Sequence, residues 1–380
     1  MMHQISKSGC VVMLSNAATG LEEPVDALLV NSPPPIRLKD AERVARACYP
    51  GYAQCAPLSG ERDMNFRISR ADGESLTLKF INGAESLDET RMQIAVLKHL
   101  EARSHGMGSV RAPHHQPADA ARLTEDYPDI RPGCGDGSAS QDWLDFHVPD
   151  VADPVRVRAY GYLPGRAGTA MSAAPQSWYA VGRAAGQLDG QLADFEHPAA
   201  HRLFLWDACQ VARVRPMLGA VESADERARI AAYLDVFELD VMPALAALPS
   251  QIIHNDLSPS NILVDEAGSD LAGILDFGDM VHAPRIAEIA IAASYQMTAA
   301  GNPLDVLSAV VAGYESVSAL TPQERRHVLD LVLARLVQRM AIPSWRALRF
   351  PGNGAYILRS RAAATALFNE LYDEWSRGAR

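Results

Sequence analysis

The most constraining feature of this chain is a pair of short motifs that lie close together in its second half. The segment His254–Asn261 reads His-Asn-Asp-Leu-Ser-Pro-Ser-Asn, and a second segment, Asp276-Phe277-Gly278, follows after an apolar hairpin. An acid and an amide on one loop, with a second acid on the next, are typical of sites that hold a proton acceptor and magnesium ligands around a transferring phosphoryl group. The two motifs together therefore predict phosphoryl transfer.

Composition limits the kinds of partner that such a site could serve. The chain has 380 residues, 48% of them hydrophobic and 21% charged, which fits a folded protein of two domains or lobes. Its formal net charge of −11 disfavours nucleic acid as a partner, because binding to phosphate backbones needs clustered Lys and Arg. An acidic surface suits small cationic molecules, although such charge is often only solubilising.

The cysteines and the apolar runs predict a cytoplasmic protein. The five cysteines are scattered without a C-x-x-C pair, which favours reduced thiols over a disulfide framework. The apolar runs are too short for a membrane helix, and no secretory signal is recognisable, so no membrane partner is expected.

The order of predicted elements indicates an α+β fold with two lobes. Residues 1–35 are predicted to be a flexible N-terminal segment that ends in three prolines. Residues 36–163 form a small β-rich N-lobe, within which residues 103–142 are predicted to be a long surface insertion. Residues 164–380 form a larger, mostly helical C-lobe that carries both motifs.

Periodicity places the individual elements of the N-lobe. Leu38–Ala47 and Thr90–Glu101 have helical patterns of apolar residues, and Val155–Leu163 is strand-like. Met64–Ser69 and Ser75–Phe80 are predicted to pair as a hairpin, because an Asp-Gly turn separates them.

Each residue of the two motifs has a predicted role. Asp256 is the candidate base that accepts or orients the acceptor hydroxyl. Asn261 and Asp276 supply the hard oxygen atoms that Mg²⁺ requires. His254 is expected to brace the backbone rather than to react. The alternative for both acids is an ordinary turn or helix-capping aspartate.

The N-lobe contains a candidate nucleotide site. Lys79 lies in an otherwise apolar strand, where it would hold the nucleotide phosphates. The alternative is a lysine on the solvent face of an edge strand. Gly60 and Arg62 belong to a preceding loop whose backbone N–H groups could cradle phosphate. Glu89 is the candidate acidic partner of Lys79, although Gln93 stands where an acid is expected.

These residues resemble the aminoglycoside phosphotransferase-like family of small-molecule kinases, in its hydroxylysine-kinase-like branch. The similarity covers roughly residues 58–371 and rests on these segments: Gly60-Glu61-Arg62-Asp63, Leu163-Pro164-Gly165-Arg166, Trp206-Asp207, His254–Asn261, Asp276-Phe277-Gly278-Asp279 and Glu288-Ile289-Ala290. The resemblance implies a protein-kinase-like bilobal fold, Mg²⁺, ATP or GTP as phosphate donor, and an acceptor bound by the helical lobe. Asn255 departs from the pattern, since many members have glycine there.

The resemblance implies transfer of the γ-phosphate to a hydroxyl of a small cationic amine or amino acid similar to hydroxylysine. Candidates for binding its ammonium group are Asp279, Glu288, Asp207 and Trp206, each of which could instead be a helix cap or a core polar residue. Alternatives are an aminoglycoside, choline or homoserine kinase, or a catalytically silent nucleotide-binding module. Protein-kinase activity is disfavoured because no A-P-E-like segment follows Gly278.

Overall fold

The structure, a computed structural model, describes residues 29–103, 111–133, 138–268, 270–297 and 301–378. The chain divides into two compact units. The first contains the chain up to Glu101 together with Pro113–Leu163, and the second contains Ala102–Ala112 together with Pro164–Arg380. An antiparallel sheet dominates the first unit and helices dominate the second, which confirms the predicted α+β class. Residues 1–35 are predicted to be a flexible segment, and residues 1–28 of it lie outside the described residues.

The first unit is built on one antiparallel sheet. Its elements are α1 (Leu38–Cys48), β1 (Gln54–Leu58), β2 (Met64–Ser69), β3 (Ser75–Phe80), α2 (Leu87–Arg103), β4 (His115–Gln116), β5 (Ala118–Asp119), β6 (Ile130–Pro132), β7 (Ser140–Gln141), β8 (Leu144–Phe146) and β9 (Val155–Gly161). The strand order is β1-β2-β3-β9-β8-β6, and β4 also pairs with β9. The turn between β2 and β3 contains Gly73 at a φ of +93°, a conformation that glycine adopts without strain.

Alternation along the strands separates an apolar face of the sheet from a polar one. Phe66, Phe80 and Phe146 stack edge to face at 5.8 Å on the apolar face, which belongs to the same buried core as α1. On the polar face, Lys79 pairs across the strands with Arg158. Arg158 donates a hydrogen bond to the side chain of Gln93 on α2. The polar face of the sheet is therefore the one that helix α2 contacts.

Part of the segment 103–142, which is predicted to be a surface insertion, pairs with the sheet of the first unit. Strand β4 extends the sheet beside β9, and strand β6 closes its far edge beside β8. Ala118 and Ile130 are buried in the same core as α1. The Gly, Pro and His content of this segment hid two- and three-residue strands that are too short to show periodicity. Residues 104–110 and 134–137 lie outside the described residues.

The second unit carries the two motifs on short β ribbons among helices. Its elements are β10 (Arg166–Ala167), α3 (Pro175–Leu192), α4 (Ala224–Val236), α5 (Met242–Leu245), β11 (Ser250–Ile253), β12 (Ile262–Val264), β13 (Leu271–Ile274), β14 (Val281–Pro284), α6 (Ile286–Gln296), α7 (Pro303–Glu315), α8 (Pro322–Arg349), α9 (Gly354–Ile357) and α10 (Arg361–Gly378). A run of 3₁₀ turns occupies Ala208–Ala220. Strands β10, β12 and β13 form one ribbon, and β11 pairs with β14 in another.

Helices α3 and α7 pack closely because glycines face each other across their contact. A Cβ atom added at Gly182 would lie 1.9 Å from the carbonyl oxygen of Val310, and one at Gly313 would lie 2.0 Å from that of Tyr179. The opposing atoms are backbone, so a side-chain rotation cannot relieve the clash. This contact therefore requires glycine on both helices.

The substitution Gly313→Ala is expected to destabilise the protein by about 3 kcal/mol through this backbone clash. The matched control is Gly190→Ala on α3, where an added Cβ would meet no described atom within 4 Å. That control is expected to be neutral or stabilising by up to about 1 kcal/mol, since alanine is the better helix former. Urea unfolding of the two variants measures the difference, and equal stabilities would contradict the close packing of α3 and α7.

A buried histidine makes the first unit sensitive to acid. Burial lowers the pKa of His115 to about 4, and the positive charges of Lys98 and Arg158 add to this effect although Asp142 opposes it. The His115 ring nitrogen Nε2 lies 3.0 Å from the Asp142 carboxylate. The folded protein therefore favours the neutral imidazole.

We expect stability to fall as the pH decreases from about 6.5 to about 4, because the unfolded chain protonates His115 over that range and the folded chain does not. The loss amounts to at most about 3 kcal/mol. Unfolding free energies measured from pH 7 to pH 4 should fall less steeply for His115→Gln than for the natural chain. The same slope in both proteins would contradict this account.

Candidate active site

The motif loop lies between two buried strands that fix both of its ends. Ile252 and Ile253 of β11 are completely buried and pair with β14, while β12 begins immediately after Asn261. The backbone N–H of Leu275 donates to the carbonyl of Asn261 at 2.8 Å. The antiparallel pairing of β12 with β13 thus brings Asn261 and Asp276 to the same end of one ribbon.

His254 connects the two motifs through both of its ring nitrogens. Its Nδ1 atom accepts a hydrogen bond from the backbone N–H of Asp256 at 3.2 Å, and its Nε2 atom donates to the carbonyl of Leu275 at 2.9 Å. The ring is fully buried and packs against Phe277. This geometry fits the bracing role predicted for His254, because both nitrogens are engaged by the backbone.

Asp256 lies between an amide and a guanidinium. Its Oδ2 atom accepts a hydrogen bond from Asn261 Nδ2 at 2.7 Å, and its Oδ1 atom lies 3.1 Å from Arg335 Nη2. The Asp256 side chain is 22% exposed, whereas Arg335 is buried. The carboxylate is therefore held in one orientation while solvent still reaches it.

Asn261 and Asp276 offer the oxygen donors that Mg²⁺ prefers. Both hydrogen bonds of the Asn261 amide nitrogen go to Asp256, one to its carbonyl and one to its carboxylate, so the amide oxygen points the other way. Asp276 has a left-handed backbone, with a φ of +57°, and its Oδ1 atom accepts from the N–H of Gly278. The capping alternative for Asp276 is therefore realised through one of its two carboxylate oxygens. A neutral amide oxygen with one carboxylate fits Mg²⁺, which retains several waters.

A buried carboxylate supports the loop from inside the unit. Asn255 has a φ of +66°, and its backbone N–H donates to Glu288 Oε2 at 3.1 Å. The Asn255 amide nitrogen also donates to the carbonyls of Asp279, at 3.0 Å, and Trp206, at 3.4 Å. Burial raises the pKa of Glu288, although the neighbouring His254 and the Asn255 N–H oppose this. The loop thus depends on Glu288 as an internal hydrogen-bond acceptor.

The four residues predicted to bind the ammonium group of the acceptor have different environments. Glu288 is fully buried, and Asp207 is buried while its carboxylate accepts from Cys209 N–H and Gln210 Nε2. Asp279 is also largely buried, whereas Trp206 is partly exposed. The burial of Glu288 and Asp207 favours the alternative in which they are core or capping residues. Direct contact of either residue with an acceptor stays a prediction.

Arg335 contacts Asp256 directly, Tyr295 and Arg339 are close enough to interact with its charge, and sequence reasoning missed all three. Arg335 donates to the carbonyl of Trp206 at 2.6 Å in addition to its contact with Asp256. The Arg339 guanidinium lies 4.3 Å from the centre of the Tyr295 ring. A usable signal exists, since both arginines lie in an otherwise mostly apolar stretch of α8. A charged residue on a buried helical face rarely lacks a specific partner.

In the first unit, Lys79 forms an ion pair that the sequence did not indicate. Its Nζ atom lies 2.8 Å from Asp63 Oδ2, and both side chains are largely buried. Asp63 Oδ1 accepts from the backbone N–H of Asn82, whose side chain donates to the carbonyl of Arg62. A Cβ atom on Gly60 would lie 2.5 Å from the carbonyl oxygen of Asp63. The predicted phosphate loop is therefore folded tightly and fixed to the strand that carries Lys79.

Glu89 has a second task at the start of α2. Its carboxylate accepts from the backbone N–H of Ser86 at 2.7 Å, and the hydroxyl of Ser86 accepts from the N–H of Glu89. This reciprocal pair satisfies N–H groups at the beginning of the helix. The pairing of Glu89 with Lys79 stays a prediction.

Comparison with known proteins decides the family. A family model described as "Phosphotransferase enzyme family" matches residues 54–327. The chain belongs to this family. This phosphotransferase is 29% identical to hydroxylysine kinase of Mus musculus over 328 residues, which cover 83% of this chain and 84% of the mouse protein. Hydroxylysine kinase of Danio rerio is 29% identical over 309 residues, covering 80% and 81%.

Solved structures show the same fold. A microcompartment-associated aminopropanol kinase aligns with a TM-score of 0.65 and 16% identity over 90% of this phosphotransferase and 99% of the other chain. Amicoumacin kinase hAmiN, in complex with AMP-PNP, Ca²⁺ and Ami, aligns with a TM-score of 0.60 and 15% identity over 89% and 94%. At these identities the likeness establishes the kinase-like fold. Within the described part of the chain, no helix is long and apolar enough to span a membrane.

The left-handed backbone at Asn255 provides a test of the loop. Asn255→Gly and Asn255→Ala both remove the two side-chain hydrogen bonds, but only alanine strains a φ of +66°. We expect the glycine variant to be more stable by about 1 kcal/mol and to retain more activity. Chemical unfolding and initial rates measure both. A glycine variant no better than the alanine variant would contradict the strained conformation.

Proposed function

We propose that this phosphotransferase transfers the γ-phosphate of a nucleotide to a hydroxyl of a small amine or amino acid with the help of Mg²⁺. The observation that carries the proposal is the environment of Asp256. Its carboxylate is held by Asn261 and Arg335, is braced by His254 through the backbone, and remains open to solvent. A fixed and accessible carboxylate is suited to receiving a proton from a hydroxyl or to orienting that hydroxyl.

Asp256 would accept the hydroxyl proton as the acceptor oxygen attacks the γ-phosphorus. Its contact with Arg335 stabilises the ionised carboxylate, which is the form that can receive a proton. Asn261 donates to the other carboxylate oxygen and so keeps the side chain from rotating away. Most of the rate enhancement in such reactions comes from positioning and charge stabilisation, which is what these contacts supply.

The metal would be held by the amide oxygen of Asn261 and the carboxylate of Asp276. When bound, Mg²⁺ neutralises charge on the phosphate oxygens. The hydrogen bonds of Asn261 support this role, because its amide nitrogen is directed at Asp256 and its oxygen is directed away.

The nucleotide would be bound by residues of the first unit. Lys79 would contact its phosphates, and the backbone around Gly60 and Arg62 would cradle them. The ion pair of Lys79 with Asp63 supports this proposal because it fixes the ammonium group beside that loop. Glu89 would be a further acidic partner of Lys79. ATP and GTP are both candidate donors.

The acceptor would be a hydroxylated amine or amino acid. The named hydroxylysine kinases, at 29% identity over most of the chain, support an amino acid similar to hydroxylysine. An aminoglycoside, choline or homoserine kinase is the competing reading, and a silent nucleotide-binding module is disfavoured because Asp256, Asn261 and Asp276 are all present. We also propose a cytoplasmic site of action, on the basis of the cysteine pattern.

Replacing Asp256 tests the proposal. Asp256→Asn preserves the shape of the side chain but removes the proton acceptor, so kcat should fall by about 10²- to 10⁴-fold while KM for the nucleotide changes little. The assay is Mg²⁺-dependent nucleotide turnover with hydroxylysine, ethanolamine, choline, homoserine and an aminoglycoside, run with ATP and with GTP. Asp240→Asn, at an exposed position in the same unit, is the matched control and should be fully active.

Two outcomes would contradict the proposal. Full activity of Asp256→Asn would remove Asp256 from the mechanism. A natural protein that binds nucleotide but turns it over with no member of the panel would contradict the proposed reaction.

A further inference from the structure

Two arginines one helical turn apart lie beside the candidate base. Arg335 and Arg339, both on α8, are only 1% and 5% exposed. Arg335 donates to the carboxylate of Asp256 and to the carbonyls of Trp206 and Asn255. Arg339 donates to the carbonyl of Ser294 at 2.9 Å. One buried guanidinium group thus contacts the candidate base, and the second is buried one helical turn further along α8 and interacts with the charge of Asp256.

Aromatic rings hold these guanidinium groups in place and border on solvent. The Arg335 guanidinium lies 5.0 Å from the centre of the Trp206 ring and 5.7 Å from that of Tyr295. The Arg339 guanidinium lies 4.3 Å from the Tyr295 ring. Trp206, Tyr295 and Asp256 are each partly exposed. A small molecule that reaches Asp256 would therefore meet this group of rings and guanidinium groups.

The charges of the two arginines are not equally balanced. Arg335 has the carboxylate of Asp256 as its partner, and Asp279 also stabilises its charge. Arg339 has no carboxylate within hydrogen-bonding distance among the residues that the structure describes. Burial lowers the pKa of the Arg339 guanidinium, and the charge of Arg335 lowers it further, while Tyr295 and Asp256 oppose both. A buried cation beside another cation is costly unless an anion accompanies it.

Both arginines also retain an unused donor. The Nε atoms of Arg335 and Arg339 are buried and have no hydrogen-bond acceptor within the described part of the chain. A buried donor without an acceptor costs free energy, and a guanidinium group is shaped to bind a carboxylate through two donors. The unused donors and the uncompensated charge thus point to the same kind of ligand.

We propose that Arg339, together with Arg335, forms a subsite for the carboxylate of an amino-acid acceptor whose hydroxyl lies at Asp256. The inference rests on the proposed function and narrows it, because ethanolamine, choline and aminoglycosides carry no carboxylate. Arg335 would contact the carboxylate of the acceptor as well as that of Asp256 and so reduce the repulsion between these two anions. Asp279, which the sequence predicts as an ammonium-binding residue, is close enough to Arg335 to stabilise its charge.

Matched acceptors that differ only in the carboxylate test this subsite. One pair is hydroxylysine and 1,5-diaminopentan-2-ol, and another is homoserine and 3-aminopropan-1-ol. For a pair that the natural protein phosphorylates, we expect kcat/KM to be about 10- to 100-fold higher for the amino acid than for the amine. This is the usual range for hydrogen bonds to a charged group. Arg339→Gln should lose this preference through KM for the amino acid, with little change for the amine.

Two further variants separate a binding role from a structural one. Arg339→Lys retains the charge and should restore part of the preference, whereas a merely structural arginine would affect both members of a pair alike. Arg326→Gln, at an exposed position on the same helix, is the matched control and should behave as the natural protein does. Thermal unfolding of each variant shows whether it is folded.

Equal kcat/KM values within the pairs for the natural protein would overturn the subsite, as would an equal loss on both members in Arg339→Gln. If no acceptor is phosphorylated, the proposed function fails, and calorimetric binding of the same pairs to the nucleotide-loaded protein decides the subsite separately. Tighter binding of the amino acid that disappears in Arg339→Gln supports the subsite, and equal binding overturns it.

Discussion

A carboxylate without contact to solvent holds the loop that carries Asp256. Glu288 accepts a hydrogen bond from the backbone N–H of Asn255, a residue with a left-handed backbone that lies just after β11. This N–H points inward, while the side chain of the following residue, Asp256, is 22% exposed to solvent. Burying a carboxylate is costly, and the cost is tolerated only where hydrogen bonds to it are well placed. The direction in which Asp256 points depends on this internal contact.

The next layer of contacts sets the position of the Asp256 side chain. His254 fixes the backbone of Asp256 relative to the strand that leads to Asp276, and Asn261 holds one carboxylate oxygen. Arg335 reaches the other oxygen from helix α8, far along the chain. An acid and an amide from one loop and a guanidinium from helix α8 are thereby fixed together before any ligand binds. Preorganisation of this kind reduces the entropic cost of reaching a reactive geometry.

The elements that could be predicted from the sequence are those encoded by short-range patterns of residues. The bounds of β2 and β3 agree with the predicted strands, because alternation and the Asp-Gly turn are short-range signals. The motif residues meet on one ribbon for the same reason. The partners that come from elsewhere could not be predicted, since the ion pair of Lys79 with Asp63 and the contact of Arg335 with Asp256 depend on tertiary packing. Burial of Glu288 and Asp207 likewise follows from packing, and the sequence only left it open as an alternative.

The central claim is that this phosphotransferase makes a phosphate monoester on the hydroxyl of a small amine or amino acid. The most direct measurement is ³¹P NMR of the purified protein with Mg²⁺, hydroxylysine and ATP or GTP. The account predicts that the γ-phosphate signal decreases while a new monoester signal appears, coupled to the carbinol proton of the acceptor. Release of inorganic phosphate alone, or a nucleotide that stays intact with every acceptor, would contradict it.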